Sequence, residues 1–472
     1  MLKEEESMGK EFLKKFLLST FFTAAIVLVT LLRFIFIDKL GDAMPSPSLF
    51  YVGFALGLAA LCAGMLLLLY SVMDFGKQKL KEQCANLFTV LFCYIVSVYV
   101  SIASPYLMPL YLCGLILSQL SNKQYVFVAN TMVCIFVGYS MLINLFLTEA
   151  NVLGLLVVIV SGMVCGGISA ITLSGDGSRL RFFVKSFIVC AFSILTVLLF
   201  FIIKVDSIKT SFIYMGFSAL GQFIMGIVLS PVLERMFNLL TNSRLLELTD
   251  ISAPLMKRLL KDAPGTYNHS AAVASFAQMC AAEIGVNPYL ARACAYYHDV
   301  GKLANPMYFK ENQSFENLHD SLLPEVSAEI LRSHTEEGLR LCNEYKIPEE
   351  ISHVTVQHHG TTLISVFYNK AQKMTDAPVD MYEYRYHGVT PRTKVAAIIM
   401  MCDCSEAAIR AMDKPDGDKV DKLLRKLTLE RLENGQFDDC DITINELNRI
   451  REIIVKAYGG LFHQRVKYPE GK

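Results

Sequence analysis

Seven residues in the C-terminal half have types and an order that suit metal chemistry. They are His269 in "GTYNHSAAVAS", the pair His298-Asp299 in "CAYYHDVGKLANP", His334 in "LRSHTEEGLRL", the pair His358-His359 in "TVQHHGTTL" and Asp403 in "AAIIMMCDCSEAAI". A histidine beside an aspartate offers two ligands from one stretch of backbone. The imidazole binds one ion while the carboxylate reaches two. Imidazole suits iron, manganese or zinc, and a bridging carboxylate leaves open positions for water and substrate. Asp403 lies deep in an apolar run, where an unpaired charge is costly, and a metal ion is one good partner for it. Taken singly, each piece is what a core histidine or a chance dipeptide gives. The ordered series H…HD…H…HH…D, on helical or helix-terminal segments, points to two divalent ions a few ångströms apart. Two cationic candidates accompany it. Lys302 follows the HD pair at the same helix end, placed either to neutralise a phosphate or as a surface lysine. Arg385 in "YRYHG" is a candidate of the same kind. "DDCDITINEL" lacks the glycine and spacing of a calcium loop. Thr443 with Glu446 fits a helix capping box. The run "MDKPDGDKVDKLLRK" reads as a solvated loop and helix start.

These residues need a scaffold, and the chain divides into two halves that differ sharply. Of 472 residues 53% are hydrophobic, and mean hydropathy is +0.41. Residues 1–240 hold no histidine, while all nine histidines lie between His269 and His463. Lysine plus arginine equals aspartate plus glutamate at 44 each, so no basic excess points to a nucleic-acid polymer. Thirteen cysteines without a disulfide spacing read as reduced thiols, several of them inside apolar runs. A bilayer core of about 30 Å needs about 20 apolar residues in a helix. The first half supplies such segments near 16–37, 49–73, 86–104, 105–121, 125–148, 152–174, 182–203 and 211–233. "SIASPYLMPLYL" makes the third and fourth either two spans with a tight turn or one long kinked segment. The first lacks a cleavage site and reads as an anchor.

Positive charge gathers at Lys3, Lys10, Lys14 and Lys15, at Lys77, Lys79 and Lys81, at Arg179 and Arg181, and at Arg235. The alternate loops are poorer, with Lys39 in one; "KVDSIKT", with Lys204 and Lys209, is the exception. The positive-inside rule then puts both the tail and the second half in the cytoplasm, which needs an even span count and favours eight. The spans carry no chain of Asp, Glu or His, which argues against a proton-coupled transporter; Arg33 lies near a span end and can snorkel. The expected organisation is a cytoplasmic tail 1–15, a transmembrane domain 16–236, linker helices 237–262 and a cytoplasmic catalytic domain 263–472. The fold class is all-α. Leucines at helical spacing make the linker either a passive connector or a dimerising helix that transmits a signal, so a homodimer is one expected partnership.

The second half also resembles a known family. "LLELTDISAPLMKRLLKDAPGTYNHS", "NPYLARACAYYHDVGKLANPMYFKENQ", "IPEEISHVTVQHHGTTLISVFYNKA" and "GQFDDCDITINELNRIREIIVKAYGGLFHQRVKYP" are similar to the PgpH family, the seven-transmembrane HD-domain proteins. The similarity covers about 235–470 with specific motifs, and the membrane half matches in layout. The resemblance implies a cell-membrane phosphodiesterase that hydrolyses cyclic di-AMP to pApA with two ions, manganese or iron. It implies that His269, His298, Asp299 and Asp403 hold one ion. Asp299 bridges to the other, held also by His334, His358 and His359. Asp299 and Lys302 are then the residues expected to serve catalysis, with Lys302 and Arg385 against the substrate. Partners are a cyclic dinucleotide and the lipid bilayer.

The chain departs from the family at four places. Asn268 stands where a histidine is usual. Cys402 and Cys404 flank Asp403 where small residues are usual. His387 replaces a proline, which touches the expected substrate contacts. Only "DKLGDAMPSPSL" joins the first two spans, where relatives carry a large extracellular domain. Rival readings are another cyclic dinucleotide or nucleotide as substrate, or a nucleotide-sensing receptor without catalysis. The cyclic di-GMP branch carries Gly-Tyr-Pro after its HH pair, and "HHGTTLISVFYNK" has none.

Overall fold

The computed structural model describes residues 2–38, 46–72, 78–148, 152–175, 177–201, 208–313, 317–413 and 415–461. Lys39, Lys77 and Lys204 and the final motif "FHQRVKYP" lie outside them. The chain divides into two compact units, Met1–Ser243 and Arg244–Lys472. Among the described residues no strand forms, and one isolated antiparallel bridge joins Leu363 to Arg385.

The first unit consists of α1 (Leu2–Phe36), α2 (Pro47–Val72), α3 (Leu80–Val100), α4 (Leu112–Leu120), α5 (Lys123–Thr148), α6 (Val152–Leu173), α7 (Arg179–Phe201) and α8 (Ile208–Met236). Among the described residues six helices are long and apolar enough to cross a bilayer: α1, α2, α3, α5, α6 and α8. The other two of the eight expected spans differ for identifiable reasons. α7 is 23 residues long but starts with Arg179, Arg181 and Lys185 in its first two turns.

The fourth expected span, 105–121, is not a continuous helix. Pro105 and Pro109 lack an N–H and push their predecessors out of the helical region, so 101–111 runs as turns and a short 3₁₀ segment. Only α4 is helical, nine residues or about 13 Å, well short of the bilayer core. The segment nonetheless runs the length of its neighbour: it leaves the far end of α3 at Val100, and Ser121 donates to Asn86 near the beginning of α3, 2.6 Å.

Unwound backbone at this depth needs internal partners, since lipid supplies none. The Tyr111 N–H donates to Gln222 Oε1 (3.1 Å), Ser218 donates to the Met108 carbonyl (3.3 Å) and Cys134 to the Leu110 carbonyl (3.5 Å). Asn130 accepts from the Gly114 N–H and donates to the Gly162 carbonyl. A Cβ at Gly166 would lie 2.0 Å from Asn130 Nδ2, so glycine there makes room for that amide. Arg33 does not snorkel. It is buried, pairs with Asp38 at 3.0 Å and donates to the Val98 carbonyl and to Ser101, tying α1 to the end of α3.

The second unit runs through α9 (Asn242–Leu248), α10 (Pro254–Asp262), α11 (Pro264–Glu283), α12 (Pro288–Tyr297), α13 (Pro324–Glu344), α14 (Glu349–Ser352), α15 (Val354–Gln357), α16 (Ser365–Met374), α17 (Lys394–Arg410), α18 (Gly417–Glu433) and α19 (Ile444–Leu461). α10, α11, α12 and α13 open on proline, whose missing N–H costs nothing in the first turn. Asn287 caps α12 and Thr393 caps α17. Thr443 and Glu446 form a reciprocal capping box at α19. α10 buries Leu255, Met256 and Leu259 and packs on α11, so this half of the expected linker belongs to the second unit. α17 is the central rod, buried continuously from Val395 to Asp403 and packed by α11, α12, α15, α18 and α19. Small residues on α11, among them Ala274, Ala277 and Ala281, admit the close approach of its neighbours.

Candidate metal centre

Each of the seven residues sits where its element can aim it inward. His269 lies in the second turn of α11. His298 caps the end of α12, and Asp299 follows at once, leading into a 3₁₀ turn over Val300–Ala304. His334 projects from the middle of α13, His358 and His359 follow α15, and Asp403 comes from α17. Six of the seven are buried and His359 is partly covered.

Asp299 divides its two oxygens between two groups. Oδ2 lies 3.2 Å from His298 Nε2 and 3.6 Å from His269 Nε2. Oδ1 lies 3.3 Å from His334 Nε2 and 3.5 Å from His358 Nε2. Asp403 Oδ1 approaches His269 Nε2 at 3.0 Å and His298 Nε2 at 3.7 Å; its other oxygen lies 3.8 Å from His359 Nδ1. Two donor sets result, His269–His298–Asp299–Asp403 and Asp299–His334–His358–His359, sharing Asp299. Within each set one ligand atom per residue lies within 4.8 Å of every other.

The donor chemistry fits metal ions. The Nδ1 atoms of His298, His334 and His358 face the carbonyls of Ala295 (2.6 Å), Leu331 and Val354 (3.1 Å). A carbonyl only accepts, so each Nδ1 carries the proton and each Nε2 turns a lone pair to the centre. His298 Nε2 and Asp299 Oδ1 are buried with no hydrogen-bond partner among the described residues, an expensive condition that coordination relieves.

The electrostatics agree. Burial alone would raise the Asp299 carboxyl, but His298 and Lys302 beside it outweigh burial and hold it well below the usual carboxylate range. Burial likewise opposes the charge on Asp403, and His269 and His298 beside it outweigh burial and hold it well below the usual range. Burial disfavours charge on His298, yet Asp299 raises it to about 10. Burial lowers His358 and, with His358 as neighbour, lowers His359 strongly.

Lys302 is at the centre but not as a free cation. Its Nζ lies 2.7 Å from Asp299 Oδ2 and 2.8 Å from Glu311 Oε1, over the Phe309 ring. Arg385 is turned elsewhere: it donates to the Thr361 carbonyl at 2.9 Å and meets Met381 sulfur. His387 stacks on Tyr382 and bonds its carbonyl. Cys402 is buried, and Cys404 donates to the Met401 carbonyl; all thirteen thiols are free.

Three residues at the centre escaped the sequence reading. Tyr386 stacks on His359 with ring centroids 4.2 Å apart. Glu311 is the second partner of Lys302. Glu406 accepts from His269 Nδ1 at 2.7 Å; its signal was its position three residues after Asp403, on the same helix face.

Comparison with known proteins gives two family matches, "HD domain" over residues 266–408 and "7TM receptor with intracellular HD hydrolase" over 52–241. The "Cyclic-di-AMP phosphodiesterase PgpH" of Listeria monocytogenes serotype 1/2a (strain 10403S) is 36% identical over 439 residues. That alignment covers 89% of this chain and 59% of the relative. The protein of the same name from Bacillus subtilis (strain 168) is 41% identical over 254 residues, 54% of this chain and 36% of the relative. The chain thus spans less than two thirds of the length of either. Among solved structures, the L. monocytogenes PgpH HD domain in complex with cyclic-di-AMP is 44% identical. It matches 46% of this chain and 100% of that one, with a TM-score of 0.44.

Proposed function

Since this chain belongs to the PgpH family of membrane proteins that carry an HD hydrolase domain, we propose that it is a metal-dependent phosphodiesterase hydrolysing cyclic di-AMP to pApA. The observation that carries the reading is the division of Asp299 between two donor sets. His269, His298, Asp299 and Asp403 would hold one ion, and Asp299, His334, His358 and His359 the other. Mn²⁺ or Fe²⁺ suits so imidazole-rich a set. When bound, two such ions supply Lewis acidity, lowering the pKa of water and neutralising charge that grows on phosphoryl oxygens.

The chain's own part is to fix geometry beforehand. The three carbonyl-anchored imidazoles cannot turn without breaking their Nδ1 bonds. Lys302 pins Asp299 Oδ2 from the side and takes Glu311 as its second carboxylate, so the bridging group cannot swing away. Lys302 therefore acts as a positioning residue. Phosphodiester hydrolysis adds water across one P–O3′ bond, leaving a 5′-phosphate and a 3′-hydroxyl on a linear product. The choice of cyclic di-AMP follows the two relatives named cyclic-di-AMP phosphodiesterases.

The catalytic unit is read as cytoplasmic. The fourth passage and α7, added to the six long apolar helices, make eight, an even number. Lys10, Lys14, Lys15, Lys79, Lys81, Arg179, Arg181 and Arg235 then share one side.

The test is turnover by the full-length protein in nanodiscs with Mn²⁺ or Fe²⁺, over a panel of cyclic dinucleotides. Cyclic di-AMP should yield pApA and chelator should abolish it. Binding without cleavage would favour the receptor reading, and cleavage of another cyclic dinucleotide in preference would replace the substrate.

A further inference from the structure

The two donor sets are not equivalent, and the difference lies behind the ligands. His298, His334 and His358 back onto neutral helix carbonyls. His269 alone of these imidazoles backs onto a carboxylate: its Nδ1 donates to Glu406 Oε2 at 2.7 Å. The same face of α17 grips both nitrogens of this ring, because Asp403 and Glu406 are three residues apart. Glu406 is 4% exposed and its other oxygen pairs with Arg410, so it holds one orientation.

A carboxylate behind a ligating histidine fixes the tautomer and ring orientation and makes the facing nitrogen a stronger donor. It also adds negative charge to one set only. The set of His269, His298, Asp299 and Asp403 contains two carboxylates, one of them shared, with Glu406 behind. The set of His334, His358 and His359 has only the shared Asp299.

We propose that Glu406 is a positioning residue that gives the His269 position the higher metal affinity, so that the two positions fill in order, His269 side first. The proposal rests on the dinuclear reading above, and its test separates the two. Metal-free full-length protein is titrated with Mn²⁺, following free Mn²⁺ by electron paramagnetic resonance, with no substrate present. The wild type should bind two ions in two phases of distinct affinity. Glu406→Gln keeps the size and an acceptor for Nδ1–H but removes the charge. It should weaken the tighter phase by about 10–100-fold and leave the weaker one in place. Glu406→Asp keeps the charge on a shorter arm and should lose less, again in the tighter phase alone.

The Mn²⁺ concentration for half-activation of Glu406→Gln should rise by the same factor. A tighter phase unchanged in Glu406→Gln overturns the proposal. So does equal weakening of both phases, which marks a residue that merely supports the fold. If Glu406→Gln does not fold, an unaltered tighter phase in Glu406→Asp overturns it equally. Wild-type protein that takes up one ion or none overturns the dinuclear reading itself, and the loading order with it.

Discussion

Gly301, two residues after Asp299, is where the smallest substitution should do the most damage. A Cβ added there would lie 1.8 Å from the His334 carbonyl oxygen and 2.4 Å from the Gly338 nitrogen. Ordinary contact begins at 3.4 Å, so backbone must retreat by about 1.6 Å, and neither neighbour is a flexible side-chain end. What retreats is α13 or the turn that carries Asp299. Either opens the 3.3 Å approach of His334 Nε2 to Asp299 Oδ1. Overpacking of this kind costs about 1–3 kcal/mol. For a unit of this size that is a melting decrease of about 2–4 °C per kcal/mol. Misplacing a catalytic group by about 1 Å costs about 10²-fold in rate. Gly301→Ala is therefore expected to melt measurably lower, to lose metal first from the His334 position and to lose about two orders of magnitude in kcat. Circular dichroism melts, bound-metal analysis and hydrolysis of cyclic di-AMP at saturating Mn²⁺ check the three parts. A Gly301→Ala protein with two ions, wild-type turnover and an unchanged melt would refute the close packing of the HD turn on α13, and with it the fixed bridge.

Three further outcomes are expected. Asp299→Asn keeps the shape of the bridge without its charge. It should lose at least about 10²-fold in kcat, about 2.7 kcal/mol, in a folded protein; near-normal turnover would make the HD pair structural. Tyr384→Phe removes the 2.7 Å bond to Glu325 and should cost about 1 kcal/mol at neutral pH in chemical denaturation. That bond holds the Glu325 carboxyl below its usual value, so its contribution is present above the unfolded pKa and disappears as pH falls through the folded one. A pH-independent difference would exclude the carboxylate as the partner. Gln222→Leu strands the Tyr111 N–H in apolar surroundings and should destabilise the membrane unit by about 1–3 kcal/mol. An unchanged melt of the detergent-solubilised chain would mean that Gln222 does not hold the broken passage.

The seven residues that gather at the centre were legible because each is signalled locally: a histidine or aspartate at a helix end or in an apolar run, where an unpaired polar group is expensive. The Thr443–Glu446 box was legible for the same reason, since both halves lie within one turn. What escaped depends on partners distant in sequence. Glu406 looks like one more charge on a helix until α11 brings His269 against it, 137 residues away. Lys302 reads as a cation reaching for phosphate, because nothing in "GKLANP" announces that Glu311 will fold back onto it. Arg33 reads as a snorkelling residue until α3 presents Val98 and Ser101. In the fourth passage, hydropathy measured only how apolar 105–121 is. The prolines stopped the helix, and partners 24 to 111 residues away accept or donate what the prolines set free.

The charge balance around the centre bears on the proposed pair of ions and the proposed anionic substrate. Four carboxylates lie in the cluster or bond to its members: Asp299, Asp403, Glu406 and Glu311. Two fixed cations answer them, Lys302 and Arg410, leaving two negative charges when the imidazoles are neutral. Without metal, the proton that Asp299 holds on His298 offsets part of this deficit. Ion binding must displace that proton, which couples loading to pH. One divalent ion brings the site to neutrality, with no net attraction for a phosphodiester. The second leaves two positive charges, matching the two phosphodiester charges of a cyclic dinucleotide. On this count an ion at the His269 position, with Glu406 behind it, would repair the protein's own charge, and one at the His334 position would supply the charge that draws in the proposed substrate.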